Sequence, residues 1–67
     1  MRDPNRIKPF INKLATHWEK NIPDWRFGQF MANFLGFAQM KTGRDIFFIE
    51  EKEMEELLDQ YFNSENQ

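Results

Sequence analysis

The sequence predicts an all-α fold: a small three-helix domain with helix two central and an aromatic loop before helix three. Three observations carry that expectation. In the second and third segments apolar residues recur at i, i+3, i+4, i+7 and i+8. Pro23 and Gly43 punctuate the chain where helices should break. The one short stretch that could be extended, Asp45-Ile46-Phe47-Phe48-Ile49, has no second strand to pair with. With 67 residues the chain holds a single domain, residues 1–67, with an ordered core of about 3–62 and a polar tail at 63–67.

The first helix is expected to start at Asp3-Pro4. Asp can cap a first turn, and Pro is tolerated at the first helical position. Ile7, Phe10, Ile11, Leu14, Ala15 and Trp18 then follow a helical period. Pro9 conflicts with a regular helix interior, so either the helix starts late or its first turn is irregular. The end is expected near Asn21, because Pro23 biases Ile22 away from the helical region.

The second helix is the stretch PDWRFGQFMANFLG, with Asp24 as its expected cap and Phe27, Phe30, Met31, Phe34 and Leu35 as its core stripe. Gly36 could end it, but Phe37 and Ala38 favour continuation toward Met40, with a loop over 41–44. In the third helix Glu50 is the expected cap. Glu53 then falls at the third helical position, and Ile49 and Met54 form a hydrophobic staple. Met54, Leu57, Leu58, Tyr61 and Phe62 form its core stripe, and residues 45–49 are read as an apolar loop plugging the core.

Composition excludes several classes of function. No cysteine is present, so disulfides and thiolate metal sites are absent, which fits a reducing, cytoplasmic setting. The single histidine, His17, cannot supply a zinc site alone. No apolar run is long enough to span a membrane, and MRDPNRIKPF lacks the apolar core of a secretory signal. Glycine-rich phosphate loops and calcium-loop spacing are missing, and no nucleophile motif is recognisable. No cofactor, metal or small-molecule substrate is expected, and the chain reads as non-enzymatic.

Three motifs together carry a resemblance. MRDPNRI opens the chain, PDWRFGQ follows a Trp in the middle, and DIFFIEEKEMEELL lies near the end. The chain resembles a family of short uncharacterised bacterial and prophage proteins that read RDP-x-RI, then PD-x-R-x-GQ, then an aromatic segment leading into an acidic helix. Members often have Pro where this chain has Ile46, which bears on the local turn. The resemblance implies a bacterial or phage origin and a cytoplasmic setting, and no catalytic residues.

Two sets of residues are candidates for binding. Trp25 falls opposite the core stripe on the helix-two wheel, with Arg26, Gln29 and Asn33 nearby. If the Trp25 ring is open it forms an aromatic anchor for a protein partner or a second copy, since Trp and Arg are enriched at binding hot spots. The plainer alternative is that helix one or the connecting turn covers the ring. Gly28 is read as a close helix–helix approach, or else as backbone left open for a partner. Arg26 could pair with the acidic third helix.

The second set follows from charge. Residues 1–44 hold eight Lys/Arg and three acids, whereas residues 45–67 hold eight acids and Lys52, so the halves carry +5 and −7. On helix one Arg6, Lys13 and Lys20 share a stripe at i, i+7 and i+14, which Arg2 joins if the helix starts early. These four are candidate phosphate contacts in a weaker, nucleic-acid reading. The alternative is loose pairing with the acids of helix three. Net acidity and the lack of a polar, basic recognition helix count against nucleic acid.

Overall fold

The computed structural model describes residues 2–64. An opening 3-10 turn, Pro4–Arg6, leads into α1, Ile7–Asn21. Helix α2 spans Phe27–Thr42, a second 3-10 turn spans Ile46–Phe48, and α3 spans Glu51–Ser64. The fold is all-α, with no strand among the described residues. The chain continues as helix through Ser64, and the rest of the expected polar tail, residues 65–67, lies outside the described residues.

The start of α1 resolves the conflict at Pro9. Asp3 Oδ1 accepts from the Asn5 N–H at 2.9 Å and caps the 3-10 turn, with Pro4 at its first position. The α-helix begins only at Ile7, so Pro9 sits in its first turn, where a backbone N–H has no intrahelical acceptor anyway. The helix ends where expected. Ile22 leaves the helical region at φ −141°, and its N–H reaches the Trp18 carbonyl at 3.0 Å.

Helix α2 begins later than the sequence suggested. Arg26 is the N-cap, in extended backbone, and its carbonyl accepts from the Phe30 N–H at 3.0 Å. Asp24 is therefore not the cap; it lies in the turn after Pro23, and Trp25 precedes the helix. An arginine side chain has no acceptor, so only the Gln29 half of a capping box operates, at 3.4 Å from Gln29 Oε1 to the Arg26 N–H. The helix runs past Gly36 and Met40 to Thr42. Gly43 stops it in the left-handed region at φ 69°, where a Cβ would be strained.

Arg6 meets Glu51 and Lys13 meets Asp59, so α1 and α3 run in the same direction and α2 returns between them in sequence. Helix α3 packs on both others, more extensively on α1 than on α2. The most enclosed side chains are Phe30, Phe34 and Ala38 of α2 and Leu58 of α3. Leu14, Ile49, Met54, Leu57 and Phe62 complete the core. The α3 stripe and the burial of both staple residues match the sequence pattern.

Two stripes are displaced from their expected positions. On α1, Ile7, Ile11 and Ala15 are exposed, while Arg6, Lys13 and His17 are half-buried beside Phe10, Leu14 and Trp18. The helix is turned by roughly 60° from its apolar face, toward its basic flank. That flank meets α3 carboxylates, and long cationic stems cover apolar surface well. On α2, Phe27 is largely exposed, and the stripe is carried by Phe30, Phe34 and Ala38, with Met31, Leu35 and Phe37 at its edges.

The loop before α3 plugs the core only in part. Ile49 is buried and Ile46 half-buried, but Phe47 and Phe48 point outward, 82% and 69% exposed. The reason is local. Asp45 Oδ1 accepts from the Phe47 N–H at 3.0 Å, and the resulting 3-10 turn places Ile46 and Ile49 on one side. The two phenylalanines between them face away.

Candidate functional site

The side of α2 opposite the core presents Gly28, Gln29, Ala32, Asn33, Gly36, Gln39 and Met40, all exposed. None of them is charged. Outer faces of helices commonly carry charged residues, so an uncharged one is distinctive. Apart from the adjoining residues and the helix's own nearby backbone, no atom of the described residues lies within 4 Å of where a Cβ would stand on Gly28 or Gly36. Gly28 is therefore not a helix–helix contact point. Each glycine costs roughly 1 kcal/mol relative to Ala in an exposed helix. Nothing among the described residues uses the space they leave.

Trp25 is separated from this face. It lies in the turn, half-buried and packed on the core cluster. Its carbonyl accepts from Trp18 Nε1 at 3.0 Å, and its N–H reaches the Ile22 carbonyl at 3.1 Å. Of the four residues first grouped together, Gln29 and Asn33 share the open face, Arg26 stands exposed at its N-terminal end, and Trp25 helps to close the turn. Among the described residues Arg26 makes no ion pair; of the α3 acids, Glu51, Asp59 and Glu53 are held by Arg6, Lys13 and Arg44.

The basic stripe is engaged within the chain. Arg2 grips Glu50 through two N–H groups, at 2.9 and 2.8 Å. Arg6 Nε reaches Glu51 at 2.7 Å, and Lys13 Nζ reaches Asp59 at 2.8 Å. Arg44 holds Glu53. Lys20 is the one member of the stripe without an ion pair among the described residues. His17 stacks on Phe62 at 4.8 Å, and its Nε2 lies 3.0 Å from Asp59. Its position is structural.

These pairs fix how stability depends on pH. The Arg2 hydrogen bond holds the Glu50 carboxyl below its ordinary value of 4.5. The Lys13 hydrogen bond, with help from His17, holds Asp59 below 3.8. A depressed carboxylate adds stability that is complete above its unfolded pKa and is lost as pH falls through its folded one. The Lys13 amine is raised above 10.5 by the same Asp59 bond, so its contribution persists below that value and fades as pH rises through the raised one. Urea unfolding is expected to show a plateau between about pH 5 and 10 and a decline on the acid side. Exposure and screening keep the effect modest. In Asp59→Asn the acid-side decline should be shallower. An unchanged acid limb in that variant would remove Asp59 from the account.

A cleft of about 520 Å³ lies where the start of the chain meets the second 3-10 turn. Arg2, Arg6, Phe47, Phe48, Ile49, Glu50 and Glu51 line it. Sequence reasoning missed this feature because Phe47 and Phe48 read as core. The signal that could have found them was the Asp45 cap, which fixes which side chains of the turn point inward.

No helix among the described residues is long and apolar enough to cross a membrane. Comparison with family models, curated proteins and solved structures gives no match.

Proposed function

We propose that this chain is a non-enzymatic protein-interaction module that receives its partner on the outer face of α2. The observation that carries the reading is the open space over Gly28 and Gly36 on an uncharged, exposed helix face. A partner helix could approach the α2 backbone there closely. Gln29 and Asn33 would supply hydrogen bonds and Arg26 a charge at one end. The partner is another protein or a second copy of the chain. The resemblance to short bacterial and prophage proteins supports a cytoplasmic setting for that encounter. The nucleic-acid reading through Arg2, Arg6, Lys13 and Lys20 is weaker, because three of those cations already hold carboxylates, Glu50 just before α3 and Glu51 and Asp59 within it.

Ala32→Glu tests the proposal. It places a charge at the middle of the face and leaves the core untouched. Affinity capture from the source organism, with sedimentation of the protein alone, is expected to lose the partner or the self-association by at least about tenfold. The far-UV helical signal and urea midpoint should stay within those of the unaltered chain. Undiminished capture and unchanged sedimentation would show that the face is not used.

A further inference from the structure

We infer that the partner is a second copy of the chain, laid antiparallel across the open side of α1 and α2, so that Lys8 of each protomer meets Glu19 of the other. The inference rests on the reading of the α2 face and extends that face onto α1.

Helix α3 packs on α1 and on α2 more extensively than those two pack on each other. They meet near the connecting turn, where Trp18 reaches Phe27 at 6.0 Å and Phe30 at 5.8 Å. Ile7 and Ile11 stand within about 20° of Trp18 on the α1 wheel, so they face the α2 side of the domain. They are nonetheless 46% and 48% exposed, and Ala15 continues the exposed row. On α2 the half-buried Met31 and Leu35 border the opening, and Gly28 lies about 20° from Leu35 on the wheel. The space over Gly28 keeps α2 from holding two α1 helices apart.

Charge identifies the occupant. Lys8 and Glu19 flank the exposed row, on the same edge as Ile11 and Ala15, because eleven residues make about three turns. Both are exposed, and neither has an ion pair among the described residues. Within one chain they stand about 16 Å apart along the helix, out of each other's reach. When α1 lies antiparallel on its own copy, Lys8 comes over Glu19 of the partner and Glu19 over Lys8 of the partner. Ile11, Asn12, Ala15 and Thr16, which lie between, are uncharged, so no like charges oppose each other along the seam. The same two-fold brings the exposed Phe27, beside Trp18 at one end, over the exposed Ile7 at the other. Such a contact is isologous and closes at two copies. A foreign helix would need an acid and a base at this spacing; a second copy already carries them.

Area sets the strength. Helices of 15 and 16 residues, each about 23 Å long and 10 Å across, present roughly 450 Å² in projection. A standard interface buries about 800 Å² on each protomer, and those below about 1,200 Å² in total are weak and transient. The dimer is therefore a weak, exchanging one.

The test makes Lys8→Glu and Glu19→Lys separately in the full chain. Each should keep the helical signal, because an acid in the first turn and a base in the last both suit the helix dipole. Sedimentation equilibrium at low salt, at concentrations up to about 1 mM, is expected to show dimerisation of the unaltered chain. Either variant alone should associate at least about tenfold more weakly, because two attractive pairs become two repulsive ones. An equimolar mixture of the two variants should return to within about threefold of the unaltered affinity, since each contact then joins opposite charges again. The inference is overturned if the unaltered chain stays monomeric, or if the mixture associates no better than the separate variants. A monomeric chain that loses a captured protein in Ala32→Glu overturns the second copy and leaves the α2 face standing. Failure of the α2 reading shows differently, as rescue in the mixture while Ala32→Glu leaves both dimer and capture unchanged.

Discussion

Phe30→Ala is expected to leave the chain without a cooperative unfolding transition at room temperature. Phe30 is 0% exposed and sits where all three helices meet. Its ring packs against Trp18 of α1 at 5.8 Å, Phe34 of α2 at 6.2 Å and Phe62 of α3 at 5.9 Å. Removing a buried Phe costs about 3–5 kcal/mol, through lost transfer energy and the cavity left behind. A single core in a domain this small supplies only about 3–5 kcal/mol of net stability. The two quantities are equal in size, so one substitution is enough. Phe47→Ala is the matched control. That ring is 82% exposed, and its loss should change stability by no more than about 0.5 kcal/mol. Far-UV circular dichroism and urea titration of both variants check the pair. A Phe30→Ala protein that unfolds near the urea midpoint of the unaltered chain would mean that the core is shared differently.

The contrast between Phe30 and Phe47 also shows how much of the fold was legible in the sequence. Helical period identified three helices, and Gly43 and Pro23 located their breaks. The α3 stripe was read correctly because its apolar residues have no strong competitor on the same side. On α1 a competitor exists. Arg6, Lys13 and His17 lie beside the apolar stripe, and α3 carries Glu51 and Asp59 to meet them. The helix faces its neighbour with that mixed flank, and Ile7 and Ile11 lie outside it. Hydrophobic period alone does not encode this, because the partner charges come from 42 or more residues away in sequence.

The candidate surfaces were legible to a smaller degree. Gln29 and Asn33 stand on the open face that the wheel predicted. Trp25 does not, because the wheel began the helix at Asp24, whereas the chain begins it after Arg26. The Phe47–Phe48 turn was hidden for a related reason. Within four consecutive apolar residues, Ile46 to Ile49, a one-residue change in capping decides which side chains face the core. Cap choice is a local hydrogen-bonding outcome, and hydrophobicity does not report it.

Trp18 is where the second large effect is expected, and it separates two contributions. The indole ring packs beside Phe27 at 6.0 Å and Phe30 at 5.8 Å, joining α1 to the start of α2. Its Nε1–H also donates to the Trp25 carbonyl at 3.0 Å, across the turn that connects the helices. Trp18→Ala removes both and should cost about 3 kcal/mol, near the low end for aromatic truncation because the ring is only half-buried. Trp18→Phe keeps most of the ring contact and loses the donor, for an expected cost of about 1 kcal/mol. In both variants Trp25 is the remaining tryptophan, so its fluorescence reports the turn directly. Urea titration gives the two costs, and amide exchange at Trp25 and Arg26 shows whether the turn loosens first. If Trp18→Phe matches Trp18→Ala, the hydrogen bond to the turn outweighs the ring. If it matches the unaltered chain in both stability and exchange, the α1–α2 connection is held by ring packing alone, and the turn that presents Arg26 to the open face of α2 needs no help from the indole nitrogen.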